Sequence, residues 1–280
     1  MQYYIVDAFT DTPFGGNPAG VVLLDSDFPP DTLMQQVAAE LRYSETAFVQ
    51  RNGANEFTVR YFTPRSEVDL CGHATIAAFG VLYRRGILPC LPDVVVCLNH
   101  TLAGDLEVLA GERVMMQMAA PRLVGEVSEV ERLCRIMHCA VPSLPVEIVS
   151  TGLPDIMLPV QSKEELDALT PDMGALAELS RELGVVGVHA FVSTGDGYTA
   201  HVRNFAPLYG VDEESATGTA NAALTHYLHR RGIIQLGSEC AFLQGEKLGR
   251  PSVVETQLRP DGTIYVGGRS RIVARGELLF

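Results

Sequence analysis

The stretch "LCGHATIAAFGVLYRRGI" begins at Leu70, and "ATGTANAALTHYLHRRGI" begins at Ala216. Laid over each other without a gap, the two share a leading Gly, two Ala, a Leu and the closing Arg-Arg-Gly-Ile, 146 residues apart. A chain that writes one helix twice points to two equivalent halves. The echo also runs upstream. "AFVQRNGANEFTVRYFTP" (47–64) faces "AFVSTGDGYTAHVRNFAP" (190–207) at an offset of 143, so the second copy carries three extra residues, inside "LYGVDEESAT". Each copy reads as a strand, a Gly-centred turn ("RNGANE", "TGDGY") and a second, alternating strand ended by Pro. A polar loop then leads to a Gly-started helix of about 14 residues.

Gly86 and Gly232 stand where a left-handed residue closes a helix, with Arg pairs in the last turn against the dipole. Both helices are nearly free of charge, and a helix apolar all round is buried all round. The expected fold is α+β: two pseudo-symmetric domains, 1–118 and 119–280, each a curved, mostly antiparallel sheet or barrel wrapped around one central helix. Amphipathic helices are expected over 30–43, 128–139 and 170–183, the last two with Ser or Thr caps. "MAAPRLVGE" (118–126) suits the crossing between domains. The tail "TIYVGGRSRIVARGELLF" is strand-like and can add to either sheet.

A helix start leaves backbone N–H groups unpaired and carries partial positive charge, and Gly lets a ligand approach them. Two such starts related by the repeat would face each other across an inter-domain cleft and hold an anion. The residues beside the glycines break the symmetry. The first helix starts Gly72-His73, the second Gly218-Thr219. Cys71 precedes the first; Ala216 and Thr217 precede the second. Glu45 stands two residues before the first Ala-Phe-Val, where the second copy has Val188. The insertion supplies Asp212, Glu213 and Glu214 to the other half alone. Two carboxylates and a histidine in one cleft are enough for acid–base chemistry. A free Glu has a pKa of about 4.3, so burial is expected to raise that of Glu45 if it serves as an acid near neutrality.

The net charge of −13 argues against nucleic acid and anionic membrane as partners. No apolar run approaches the roughly 18–20 residues of a membrane span. "MQYYIVDAFTD" lacks a basic start and carries Asp7, so it is not read as a signal peptide. The six cysteines (Cys71, Cys90, Cys97, Cys134, Cys139, Cys240) have no framework spacing and read as reduced cytoplasmic thiols. Cys134, His138 and Cys139 cluster, but no second cluster completes a zinc site, so no metal is expected. "FGGNPAG" matches no phosphate or dinucleotide loop, so no cofactor is expected either.

Four motifs, "VDAFTDTPFGGNPAGVV" (6–22), "SETAFV" (44–49), "YFTPRSEVDLCGHATIAA" (61–78) and "FAPLYGVDEESATGTANAAL" (205–224), resemble in order those of the phenazine-biosynthesis PhzF-like family. That family shares the fold of diaminopimelate epimerase. The resemblance implies a two-domain, cofactor-free isomerase, a homodimer, acting on a small carboxylate. It places the catalytic carboxylate on Glu45 and the family histidine on His73. The family aspartate falls on Glu214 and its serine on Thr219; both are departures, and Ser215 replaces a frequent proline. The substrate of the phenazine pathway therefore does not carry over.

The resulting expectation is a proton-shifting isomerase. Glu45, His73 and Glu214 are its acid–base groups, and Asn17, Gly72, His73, Thr217, Gly218 and Thr219 hold the substrate. Two alternatives stand beside it. One is an amino-acid racemase or epimerase using Glu45 and Cys71, although the two-thiol form lacks its second cysteine. The other is a non-catalytic protein that binds small carboxylates.

Overall fold

The computed structural model describes residues 1–89 and 94–279. The chain divides into two units: Met1–Gln117 with Gly267–Phe280, and Met118–Val266. Cys90 lies outside the described residues; Cys71, Cys97, Cys134, Cys139 and Cys240 are free thiols.

The first unit holds helices α1 (Asp31–Leu41) and α2 (Gly72–Arg84). Its strand Ser270–Glu277 pairs antiparallel with Gln2–Ala8, which pairs with Asn17–Leu23. Thr46–Arg51 follows in parallel and turns back into Glu56–Phe62. Val95–Thr101 lies parallel to that strand and leads on through Gly104–Ala110 to Val114–Gln117. The sheet curves around α2, which touches Gln2–Ala8, Asn17–Leu23, Thr46–Arg51, Gly104–Ala110, Val114–Gln117 and Ser270–Glu277. Residues Ala74 to Leu82 of α2 are all buried. At 3.6 residues per turn that run covers every side of the helix. Small residues let the strands come close: a Cβ on Gly80 would stand 2.0 Å from Ser270 Oγ. α1 covers the outer side of the sheet with Met34, Val37 and Ala38 against Val22, Phe48 and Phe62.

The second unit holds α3 (Val130–Met137), α4 (Lys163–Ala168), α5 (Met173–Leu183) and α6 (Gly218–Arg230). Its strands run from Arg122–Glu126 through Glu147–Ser150 to Pro154–Pro159, all antiparallel. Val188–Val192 joins in parallel and pairs antiparallel with Ala200–Ala206. The latter takes Val211–Glu214 antiparallel and Glu239–Gln244 parallel, and Ser252–Leu258 completes the row. α6 packs on Glu147–Ser150, Pro154–Pro159 and Ser252–Leu258. α3, α4 and α5 build the other core through Leu133, Met137, Leu166, Leu176 and Leu179.

The repeat is present in the coordinates. Each copy is a hairpin with a parallel neighbour beside its second strand, followed by a 13-residue helix. Gly86 and Gly232 close the helices at φ 65° and 70°, as the Arg-Arg-Gly endings predict. Two caps differ from expectation. Ser128 does not cap α3, whose N-cap position is Glu129 with no side-chain bond. Thr170 does not cap α5; Asp172 does, accepting from the Ala175 amide at 3.1 Å. The Ile136 carbonyl near the end of α3 binds the Asp172 amide and fixes that start two residues later. "MAAPRLVGE" contains the strand Arg122–Glu126 rather than a bare crossing. Among the described residues no helix is long and apolar enough to cross a membrane.

Phe79, fully buried on α2, meets Phe57 edge-on at 5.6 Å between ring centroids. Phe79→Ala leaves a cavity on the helix that the first sheet surrounds, and costs about 3–5 kcal/mol. Urea unfolding followed by circular dichroism measures it. A loss below about 1 kcal/mol would mean that the sheet collapses onto the shortened side chain.

Candidate active site

Cys71 sits at the N-cap of α2 with extended backbone (φ −138°) and makes no capping bond through its side chain. A chain of buried hydroxyls fixes it instead. Thr75 Oγ1 donates to the Cys71 carbonyl at 2.8 Å. Its proton is thereby committed, so Tyr61 donates to Thr75 Oγ1 at 2.6 Å, and Asn99 Nδ2 donates to the Tyr61 oxygen at 3.1 Å. One residue into the helix, His73 turns back toward the loop before Thr46–Arg51. Its Nε2 lies 3.2 Å from Glu45 Oε2 and 3.2 Å from Ser44 Oγ, and its Nδ1 lies 3.4 Å from Cys71 Sγ. The Glu45 carbonyl accepts from Gly20 at 3.1 Å, which pins this loop to strand Asn17–Leu23. Asn17, buried, opens that strand.

Glu45 Oε2 is buried and has no hydrogen bond; its contact with His73 is an ion pair. Buried polar atoms nearly always find partners, and the neighbour this one has is the His73 ring. Gly72 offers further room, since a Cβ there would meet only Met116 Cε at 3.8 Å. Packing alone therefore does not demand this glycine.

Charge at this cluster departs from the sequence expectation. Burial alone would raise Glu45, but the adjoining His73, with Ser44 and Cys71, outweighs it and holds the carboxyl below its ordinary value. Burial alone would lower His73, but Cys71 and Glu45 pull it well above the ordinary imidazole value. Burial pushes the Cys71 thiol up, against the pull of His73, so it keeps its proton at neutrality. The resting pair is thus carboxylate and imidazolium, against the expectation that burial raises Glu45.

The second unit builds a different cluster at the start of α6. Thr217 is its N-cap, again extended (φ −132°) and without a side-chain capping bond. Gln244, fully buried, uses its whole amide here. Its Oε1 accepts from Thr217 N at 3.1 Å and Asn221 Nδ2 at 2.9 Å. Its Nε2 donates to the Glu214 carbonyl at 2.9 Å and to Thr217 Oγ1 at 3.1 Å. The Thr217 hydroxyl donates inward to Asn204 Oδ1 at 3.2 Å. Asn221 Nδ2 back-bonds to the Thr217 carbonyl at 2.9 Å, the counterpart of Thr75 on Cys71. The next residue, Gly245, has φ 79°, and a Cβ on it would lie 2.6 Å from the Ser215 carbonyl. Glu214 and Thr219 are half-buried; Thr151 Oγ1 holds the Thr219 carbonyl at 2.9 Å. Of the other two acids of the insertion, Glu213 is bound by Arg203 and Asp212 is exposed.

The structure therefore gathers Glu45, Gly72 and His73 in one half, with Asn17 on the adjoining strand, and Glu214, Thr217, Gly218 and Thr219 in the other. Ser44, Asn204 and Gln244 were missed by sequence reasoning. The repeat register could have drawn attention to Asn204, which takes the place of Tyr61; Gln244 and Ser44 carry no such signal. Glu45, Cys71 and His73 each offer a donor atom within 4.8 Å of the others, close enough to converge on one ion. A metal ion there would have to displace the proton of the imidazolium and that of the thiol.

A description of the family of phenazine biosynthesis-like proteins matches residues 6–276. An uncharacterized isomerase of Deinococcus radiodurans is 39% identical, over 98% of this chain and 94% of its own length. The trans-2,3-dihydro-3-hydroxyanthranilate isomerase of Pseudomonas fluorescens is 32% identical over 99% of each chain. The crystal structure of a PhzF-family phenazine biosynthesis protein from Bacillus anthracis covers 100% of this chain and 99% of its own, with TM-score 0.88 and 27% identity. The chain belongs to the phenazine biosynthesis-like family, has its epimerase-like α+β fold, and is an enzyme of the isomerase class. The non-catalytic alternative is thereby set aside.

The ion pair has a definite pH window. The depressed Glu45 contributes stability above its unfolded pKa, lost as pH falls through the folded value. The raised His73 contributes below its unfolded pKa of about 6.5, lost as pH rises through the folded value. In NMR titration the His73 ring should change state above about 6.5, and Glu45→Gln should move that midpoint down. A midpoint indifferent to the substitution would mean that the two groups are not coupled.

Proposed function

We propose that this isomerase shifts a proton on a small carboxylate without cofactor or metal, using Glu45 as the base at carbon. The open, ionised Oε2 of Glu45 beside His73 is the observation that carries the reading. Glu45 takes a proton from a carbon next to an unsaturated or carboxyl-activated group. The electron pair moves into the conjugated system, and Glu45, now protonated, returns the proton at another carbon. One group thus serves as base and then as acid; the lowered pKa keeps it ionised for the first step while making it a weaker base. His73, as imidazolium, stabilises the negative charge that develops on the substrate. The amides at the start of α2, at Gly72, and those at the start of α6, at Gly218, are each suited to a carboxylate. Asn17, Glu214, Thr217 and Thr219 are the further residues for its polar groups. The cytoplasmic homodimer implied by the resemblance belongs to the same proposal, and light scattering measures the dimer.

A 2,3-dihydro-3-hydroxyanthranilate-like acid, named for the Pseudomonas fluorescens relative, is the first compound to offer. Glu214 and Thr219 alter the pocket, so a panel of cyclic and amino-acid-like carboxylates goes with it. Incubation in deuterated water followed by mass spectrometry reads transfer directly. With a substrate in hand, Glu45→Gln should keep binding and lose turnover by about 10²–10⁴-fold; near-normal turnover removes Glu45 from the role.

The 3.4 Å contact of Cys71 Sγ with His73 favours a second reading, an epimerase in which Cys71 and Glu45 work from opposite sides. Its thiol is pushed up by burial and protonated, which weighs against it as a base. Cys71→Ala should therefore leave turnover within about tenfold, about 1.4 kcal/mol in the barrier. Complete loss, with substrate protecting the wild type from alkylation, would establish the thiol mechanism.

A further inference from the structure

Arg60 and Arg203 stand at the same place of the repeat, in "VRYF" and "VRNF", at the offset of 143. Each forks onto a glutamate of the short strand that leads to the site helix. Arg60 Nε and Nη2 donate to Glu67 Oε1 and Oε2, both at 2.6 Å. Arg203 Nε and Nη2 donate to Glu213 Oε1 and Oε2, at 2.9 and 2.7 Å. Glu67 and Glu213 correspond in turn, at the offset of 146 that the helices keep. Each guanidinium also lies over the ring two residues on, 5.3 Å from the centroid of Phe62 and 4.9 Å from that of Phe205. The clamp is therefore part of the duplicated unit.

The third branch differs between the halves. Arg60 Nη1 reaches Asp31 of α1 at 2.8 Å, an acid whose side chain is 74% exposed. Arg203 Nη1 instead donates to the carbonyls of Leu166 and Leu169 at the end of α4, at 3.0 and 2.9 Å. The side chains of Arg203 and Glu213 are each 10% exposed, so the half with the three extra residues is the one that encloses its clamp. A planar fork with every branch engaged holds one orientation, which a lysine does not reproduce. Asn204 pairs with Glu214 across the strands Ala200–Ala206 and Val211–Glu214. Successive strand residues point to opposite faces. Glu213 is drawn with Arg203 to the α4 face, so Glu214 turns to the other, the face of Asn204. There Asn204 Oδ1 accepts from the Thr217 hydroxyl at 3.2 Å, and Gln244 Nε2 donates to the Glu214 carbonyl at 2.9 Å. In the first half the residue after the clamped glutamate is Val68, paired with Tyr61.

We propose that Arg203 is a positioning residue: by clamping Glu213 it fixes the insertion so that Glu214 is held on the face that carries the start of α6. Arg203 touches no substrate and acts through Glu213 and the backbone between the two acids. The inference rests on the reading of Glu214 as a site residue, and the two fail separately. Turnover indifferent to Glu214→Gln would end that reading; the clamp is read on the bonds of Gln244, whether or not a substrate is known.

Hydrogen exchange of the Gln244 side-chain amide, followed by nitrogen-15 NMR, reads its bond to the Glu214 carbonyl. Combining Arg203→Met with Glu213→Met removes both charges and fills the space with apolar atoms, so no unpaired charge is left buried. In that double variant the Gln244 side-chain amide and the Thr217 amide, which donates to Gln244 Oε1, should exchange faster by about tenfold or more. The amides of Glu147–Ser150, elsewhere in the same sheet, should keep their wild-type protection. Arg203→Lys, which keeps the charge but not the fork, should show part of the same gain. Unchanged Gln244 exchange in the double variant overturns the proposal. So does a uniform loss of protection across the second unit, which would make Arg203 a support of the fold alone. Should the double variant not fold, Arg203→Lys decides: a gain confined to Gln244 and Thr217 supports the clamp, and wild-type exchange overturns it.

Discussion

Thr75 on the carbonyl of Cys71, and Asn221 on the carbonyl of Thr217, are the same bond made twice. Each ties the fourth residue of a buried helix to the residue before its first turn. Strands surround α2 closely, so its apolar flanks have no water to relax into. Its end is the place where polar groups must be both present and fully arranged. In the first half that arrangement is made by hydroxyls, from Asn99 through Tyr61 and Thr75. In the second a single amide, Gln244, does it with four bonds. The geometry of His73 and of the Glu214–Gly218 turn follows from these supports.

The two ends then diverge in charge. The first presents a carboxylate and an imidazolium in contact, each stabilising the charged form of the other. The second buries a histidine, His189, that stays neutral, and a carboxyl, Asp155, that burial pushes up to about 7. One fold unit, duplicated, yields two ends that differ in charge.

Much of this was legible in the residues because a repeat doubles the signal of each element. Two Arg-Arg-Gly endings at a fixed offset mark two helix ends better than one would, and the apolar composition of α2 told of its burial. Glu45 and His73 stood out as residues that one copy has and the other lacks. Single features were harder. Ser128 and Thr170 look like caps, yet tertiary contacts move both helix starts. The direction of the Glu45 shift depends on a 3.2 Å contact between residues 28 positions apart, which no local pattern encodes. Asp155 lies outside the recognisable repeat, in a strand whose other residues read as plain core.

The strand Ser270–Glu277 belongs with the first unit, pairing along Gln2–Ala8 and reaching α2 at Gly80, while Met118–Val266 is one unbroken stretch. On a ribosome the second unit therefore has all its strands in hand while the first is still missing one. Until that strand arrives, the edge of Gln2–Ala8 is open and Gly80 lacks the Ser270 side chain it packs against. Closing it joins residues more than 260 positions apart, among them Gln2 with Glu277, a loop whose entropy is slow to overcome. The half that carries Glu45 and His73 is in this sense the last to be finished, and an unfinished copy of the chain carries an exposed strand edge in that half.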